Sequence, residues 1–301
     1  MTVQTWIDST RDMLLTDYVE EYATLQASLA ASAAVQSVSF TLPAAVVPGV
    51  VTGSTFEIGT ELFYVYDVSP AGAATVQRGF RGSDVAAHDA GDIVIVNPKF
   101  PSYQILKALN DDLLDLASPQ NGMFQIGTVD LTYSTSQAGY DLASVTDEIL
   151  GIHSVTWSDS GSENAEPDLR KYALKRNRNT SDFASGYALV LYDSAEAGRT
   201  IRVSYKTSYN AVASATTALS TVGIHTGGYD LPPLGAAMRL MATRPIRREF
   251  LDEQGFSRRA EEVPAGGPSA SMRDLRALRA DRVNAEATRL DAQYPTFWQR
   301  G

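Results

Sequence analysis

The side chains that most often carry enzyme chemistry are few in this chain and lie far apart. It has no cysteine, which excludes thiolate metal sites, disulfide bonds and cysteine nucleophiles. Its three histidines, His88, His153 and His225, lie in separate segments without the i, i+4 spacing of a helical metal-binding pair. We predict no metal ion and no cofactor. We interpret His153, in a predicted strand, as structural and His88, in a glycine-containing loop, as exposed to solvent.

Paired carboxylates are a second route to chemistry, because glycoside hydrolysis needs two carboxyl groups flanking the scissile bond. Glu57 with Glu61 and Asp111 with Asp112 are closely spaced, but a chain with 35 acidic residues contains such pairs by composition alone. The sequence also has no phosphate-cradle, dinucleotide-binding or serine-hydrolase motif. We therefore interpret both pairs as solvated surface acids and predict that the protein is not an enzyme.

The elements that would position these residues alternate between helical and β patterns. Five short strand-like segments separated by turn residues occupy residues 37–100, and a second such set follows residue 121. Between the two sets, Ser102 is a typical N-cap for a helix whose apolar stripe leaves Asp111 and Asp112 on the opposite face.

These patterns predict an α+β fold in which helical N- and C-terminal segments flank two antiparallel β domains. The predicted parts are an N-terminal helical segment over residues 1–36, a small barrel-like β module over 37–100, a connecting helix over 101–120, a jelly-roll-like β-sandwich over 121–210, and a C-terminal helical, arginine-rich assembly segment over 211–301.

The charge of the chain is unevenly distributed. The net charge is −10, yet residues 231–301 contain twelve arginines, no lysine and nine acids. An acidic chain is unsuited to wrapping nucleic acid, whereas arginine suits bidentate pairing with carboxylates at an interface. The basic end therefore indicates either a contact with an acidic partner or a solvated helix face with ordinary ion pairs.

We expect no membrane association and no targeting segment. Asp8, Arg11 and Asp12 lie where a secretion signal would be apolar. The sequence also has no apolar stretch of the roughly 20 residues that would span a bilayer.

One segment is more distinctive than its composition. ELFYVYDV, followed by TVQRGFRGSDVAAHDAGDIVIVNPKF, resembles a β module common in virion proteins of tailed bacteriophages. The resemblance continues in QILKALNDDLLDLASPQNGMF, in LPPLGAAMRLMATRPIRREF, and in RRAEEVP followed by an arginine-rich helix ending LDAQYP. Together these segments resemble the head-to-tail adaptor (connector or neck) proteins of long-tailed double-stranded DNA phages, from Trp6 to Pro295.

The resemblance implies a structural protein of the virion neck that is assembled in the host cytoplasm. Such a protein forms a homo-oligomeric ring, usually twelve-fold, beneath the portal and joins the DNA-filled capsid to the tail. Its implied partners are the portal protein, a tail-side neck or tail terminator protein, and copies of itself. Double-stranded DNA would pass through the channel without sequence-specific binding.

The resemblance also assigns candidate interface residues to the C-terminal region, because terminal helices often face the portal in these rings. The last predicted helix adds a narrow, small-residue seam with alternating spacings of three and four, typical of packing between helices. The portal-facing and ring-interface candidates are Arg239, Arg244, Arg247, Arg248, Arg258, Arg259, Ala280, Val283, Ala287 and Leu290.

Two other classes of protein stay open. A tail terminator or tail-tube protein would share the β-rich, ring-forming character, although the arginine-rich helical end argues against it. A carbohydrate-binding or hydrolytic sandwich would need an aromatic platform or a carboxylate pair in a cleft. Trp6, Trp157 and Trp298 are scattered along the chain and predict no such platform.

Overall fold

The computed structural model describes residues 1–15, 20–25, 27–31, 38–41, 49–69, 73–158, 166–243 and 267–295. These ranges contain α-helices and antiparallel sheets, which confirms the α+β prediction. The chain divides into two compact units. The first unit comprises Met1–Asp112 and Ala211–Asp281, and the second comprises Leu113–Asn210 and Arg282–Gly301.

Four α-helices occur in the described ranges. They are α1 (Val3–Leu14), α2 (Ser102–Leu116), α3 (Leu231–Thr243) and α4 (Gly267–Gln293). Helix α1 buries Val3, Trp6, Ile7 and Thr10, the i, i+3, i+4, i+7 pattern of an amphipathic helix, and it packs on α3. Among the described residues no helix is long and apolar enough to cross a membrane.

The first unit contains a six-stranded antiparallel sheet with the strand order β1-β6-β3-β4-β5-β2. Its strands are β1 (Glu21–Thr24), β2 (Val38–Thr41), β3 (Thr55–Ile58), β4 (Glu61–Val68), β5 (Ala73–Gln77) and β6 (Ile93–Val96). One face of the sheet supplies a core that includes Phe56, Phe63, Val65, Val76 and Val94. The five strands predicted between residues 37 and 100 are confirmed.

The prediction that residues 1–36 are helical is wrong in part. Helix α1 ends at Leu14, and Glu21–Thr24 forms a strand that pairs with β6, Tyr22 lying opposite Ile95. The spacing of apolar residues in this segment did suit a helix. Strand β6, however, is a run of isoleucine and valine with β3 on one side, and its backbone N–H and C=O groups on the other side need hydrogen-bond partners, which β1 supplies. Tertiary pairing overrides local preference at such a short segment.

The second unit contains two three-stranded antiparallel sheets, with the orders β7-β12-β9 and β10-β11-β8. Both sheets contribute residues to one hydrophobic core, Val203 and Ile201 from the first and Leu189 and Tyr140 from the second. The strands are β7 (Gln125–Thr132), β8 (Gly139–Asp141), β9 (Ile149–Trp157), β10 (Tyr172–Lys175), β11 (Ala188–Leu191) and β12 (Thr200–Thr207). Strand β8 has three residues, too few to show an alternating pattern.

Gly235 in α3 lies directly against the side chain of Asp112 in α2. A β-carbon built there would lie 1.8 Å from Oδ1 of Asp112 and 2.0 Å from its Cγ. The Asp112 side chain is 1% exposed and has little room to move. Only glycine therefore fits beside this carboxylate.

We expect Gly235→Ala to destabilise the protein by ~1–3 kcal/mol through overpacking, although alanine would favour an isolated helix by about 1 kcal/mol. Urea unfolding measures the change. Combining it with Asp112→Ala should give a loss smaller than the sum of the single losses, because the second change removes the atoms that clash. Strict additivity would contradict the clash.

Candidate functional site

A buried ion pair joins the first residue of β4 to the residue that follows β5. Arg78 and Glu61 are both fully buried. The guanidinium donates from Nε to Glu61 Oε1 at 2.9 Å and from Nη2 to Oε2 at 2.7 Å. Arg78 also donates to the carbonyl oxygens of Ala30, at 2.6 Å, and Ala86. Each nitrogen of this guanidinium thus has an acceptor, as a buried charge requires.

Glu61 uses the same carboxylate to hold both ends of the loop after β5. Its oxygens accept from the backbone N–H groups of Gly79, at 3.2 Å, and Ala86, at 3.0 Å, and contact His88 Nε2 at 2.8 Å. The interpretation of His88 as a solvent-exposed loop residue is therefore wrong, since its side chain is 5% exposed. One carboxylate, one guanidinium and one imidazole fix the loop, and we call these three residues the loop anchor.

The hydrogen bonds of the loop anchor set the ionisation of Glu61. Burial alone would raise the pKa of this carboxyl, but hydrogen bonds from Arg78, His88 and the Ala86 N–H outweigh burial. The pKa falls from 4.5 to about 2. Glu61 therefore stays ionised at neutral pH and gives Arg78 its counter-charge.

The loop that the anchor holds has an unusual backbone. Gly79 has φ of 60° and Gly82 has φ of 82°, both left-handed values that glycine adopts readily. Arg81 between them has φ of 56°, a conformation that a residue with a β-carbon rarely adopts. Its side chain is exposed. A fixed loop thus presents a cation in a constrained conformation.

Glu57, the other member of the first predicted carboxylate pair, joins three elements. Its side chain is 2% exposed and lies 2.6 Å from Arg11 Nη2. It accepts from the backbone N–H of Ser102 at 2.7 Å and from the Ser102 hydroxyl at 3.1 Å, so it caps the start of α2. Burial raises its pKa to about 7 despite the attraction of Arg11. The interpretation of Glu57 and Glu61 as solvated surface acids is wrong.

The interpretation of Asp111 and Asp112 as solvated surface acids is wrong for Asp112. It was predicted on the solvent face of α2 but is 1% exposed, whereas Asp111 is exposed. Position 112 follows Leu109 by three residues and therefore falls on the apolar stripe. Asp112 Oδ1 lies 2.7 Å from Arg279 Nη2 and 3.7 Å from Arg239 Nε. This carboxylate attaches the first part of α4 to α2 and α3.

The predicted interface seam divides between two environments. Val283 and Leu290 are 3% and 7% exposed within the single chain, and Ala287 is partly buried. A β-carbon built on Gly122 would lie 3.9 Å from that of Ala287. Ala280 is exposed. Three of the four seam residues therefore pack inside their own chain, and Ala280 alone is open to a partner.

The arginine candidates are only partly covered by the structure. Arg239 is 40% exposed beside Asp112. Arg244, Arg247, Arg248, Arg258 and Arg259 lie outside the described residues.

The two remaining histidines occupy structural positions. His153 is the extra residue of a bulge between β9 and β12, and its ring meets Tyr294 edge-on at 5.6 Å. Burial, aided by Lys206, lowers its pKa. His225 Nδ1 accepts from the N–H of Gly227 at 3.0 Å. Within the described part of the chain no group of three His, Asp or Glu side chains is placed to hold a metal ion.

No protein-family model matches the sequence, and no curated protein matches it.

We expect Glu61→Gln to lower the free energy of unfolding at pH 7 by ~3–5 kcal/mol, because Arg78 would stay buried without a counter-charge. The pKa of Glu61 is lower in the folded protein than its ordinary value of 4.5. Its contribution, about 3 kcal/mol, is therefore present above pH 4.5 and lost as the pH falls towards 2. The gap between variant and wild type should shrink over that range in urea unfolding.

Exposed Glu148→Gln is the matched control and should change stability by less than ~0.5 kcal/mol. If Glu61→Gln does not fold, His88→Ala tests the same anchor with an expected loss of ~1–3 kcal/mol. Wild-type stability in both Glu61→Gln and His88→Ala would contradict the role of the anchor.

Proposed function

We propose that the chain is a head-to-tail adaptor of a long-tailed double-stranded DNA phage, a structural protein of the virion neck. Copies of it form a ring, twelve-fold in our proposal, beneath the portal and join the capsid to the tail. The segment that resembles the phage β module supports this proposal, because it contains the three residues of the loop anchor. The resemblance thus rests on residues with a defined structural role.

The observation that carries the proposal is the placement of α4. One side of this helix is attached through Arg279 to Asp112 and buries Val283 and Leu290. The other side exposes Leu278, 49% accessible, among charged residues. A helix fixed on one side with an apolar residue on the other is suited to contacts between subunits.

The finer architecture of the two β domains belongs to the same proposal. We propose that the six-stranded sheet is barrel-like, since Arg78 at the end of β5 donates to the carbonyl of Ala30, which follows β1 at the far edge of the sheet. We propose a jelly-roll-like sandwich for the second unit, since its two sheets share one core.

The arginine-rich end is proposed to contact the portal protein. Arginine without lysine suits bidentate pairing with carboxylates. The nine acids that accompany twelve arginines over residues 231–301 weaken binding to DNA phosphates. On this proposal the DNA passes through the ring without sequence-specific contacts.

Changing Arg244, Arg247 and Arg248 together to Gln tests the portal contact. We expect weaker binding to purified portal rings, by ~2–5 kcal/mol for each buried pair that loses a partner, and little change in binding to duplex DNA. Calorimetry and a gel-shift assay at one fixed salt concentration measure the two affinities.

The matched control removes three exposed cations from the second unit, by changing Arg170, Lys171 and Arg178 to Gln. It should leave portal affinity unchanged. Unchanged portal affinity in the C-terminal variant would reject the assignment, and loss of DNA binding alone would place these arginines at the channel wall.

A further inference from the structure

The first unit has a groove of about 410 Å³ between the loop after β5 and helix α2. The loop contributes Arg81 and Asp84 to its walls, and α2 contributes Lys107 and Asp111. All four side chains are exposed. In the part of the chain that the structure describes, no ion pair joins any of them to another residue.

The loop wall of this groove is rigidly built. Arg81 keeps its left-handed backbone, φ of 56°, because Glu61 holds the N–H groups of Gly79 and Ala86 on either side of it. Backbone strain of this kind persists where the surroundings fix it, and it is concentrated at functional positions. The buried loop anchor therefore fixes where an exposed cation lies on the groove wall.

The chemistry of the groove favours a polypeptide ligand. The two cations and two carboxylates leave the groove without net charge, so a ligand with discrete charges that can be placed opposite single groups fits it better than the continuous negative charge of a nucleic acid. Leu106, which is partly buried, adds apolar surface to the lining. A ligand that satisfies this surface needs carboxylates for Arg81 and Lys107 and an apolar side chain between them.

The exposed side of α4 carries that combination. Asp274, Leu278 and Asp281 are spaced i, i+4, i+7 and so share one face of the helix. This face is opposite to the buried Val283. Asp274 and Asp281 are exposed, and Leu278 is 49% accessible. Neither aspartate forms an ion pair with another described residue.

We propose that this face of α4 docks into the groove of a neighbouring copy of the chain. Asp274 and Asp281 pair with Arg81 and Lys107, while Leu278 packs on the apolar part of the lining. The inference rests on the proposed ring, whose subunit contact it specifies. Because the two surfaces differ, the contact is head-to-tail, and repeated head-to-tail contacts close into a ring when the rotation allows.

The test uses the full-length chain and charge reversal on each surface. The groove variant carries Arg81→Glu and Lys107→Glu, and the helix variant carries Asp274→Lys and Asp281→Lys. We expect each variant to lose the ring species seen for wild type by native mass spectrometry and sedimentation velocity. A chain with all four changes should recover the ring, since the charges are complementary again.

Mixing the groove variant with the helix variant distinguishes a direct contact between these two surfaces from a general effect of the changed charges. In a 1:1 mixture the intact groove of the helix variant meets the intact helix face of the groove variant, and the two reversed surfaces are complementary to each other as well. We expect the mixture to form rings in which the two variants alternate, although neither variant forms rings alone. The control changes Lys171 and Arg178, two exposed cations of the second unit, to Glu and should form rings like wild type.

The outcomes distinguish this inference from the proposed function. If wild type forms rings and the two variants form the same rings, the groove contact is wrong and the adaptor proposal stands. Failure of the four-change chain to recover the ring also overturns the contact, provided that its circular dichroism spectrum matches wild type. If wild type forms no ring, alone or on portal rings, the adaptor proposal fails together with this inference.

Discussion

The ionised carboxylate of Glu61 at the end of the first core is the interaction on which the first unit depends most. A buried charge is costly unless its hydrogen-bonding capacity is filled, and Glu61 fills it with Arg78, His88 and two backbone N–H groups. The free-energy cost of removing this carboxylate from water is offset only while all of these contacts are present. The sheet, the loop and the turn around His88 are therefore coupled through one side chain.

A second buried carboxylate has the same role for the helices. Asp112 lies where α2 and α3 approach over Gly235, and it pairs with Arg279 of α4. This pair fixes the rotation of α4 about its own axis, so it determines which residues of that helix are exposed. The exposed face is thus a consequence of a buried contact. In both cases a buried ion pair determines the geometry of a surface.

The strands and helices could be predicted from the periodicity of apolar residues. The buried charges were missed because charged residues were expected to lie at the surface. Alternation predicted β3 to β6, and the apolar stripe predicted α2. The same patterns also place the buried charges. Glu61 lies two residues before the buried Phe63, and Arg78 lies two residues after the buried Val76, so both charged residues fall at inward-facing positions. What could not be predicted is which inward-facing charges find partners, because those partners lie far away in sequence. Arg11, for example, is 46 residues from Glu57.

The Asp112–Arg279 pair can form only late in synthesis, because the ribosome makes Asp112 long before Arg279. The two residues are 167 positions apart, so at 5–20 residues per second roughly 8–33 seconds separate their synthesis. Residues 113–210, which belong to the second unit, lie between them in the chain and are synthesised first. The surface of α4 is therefore completed only after those residues have been made.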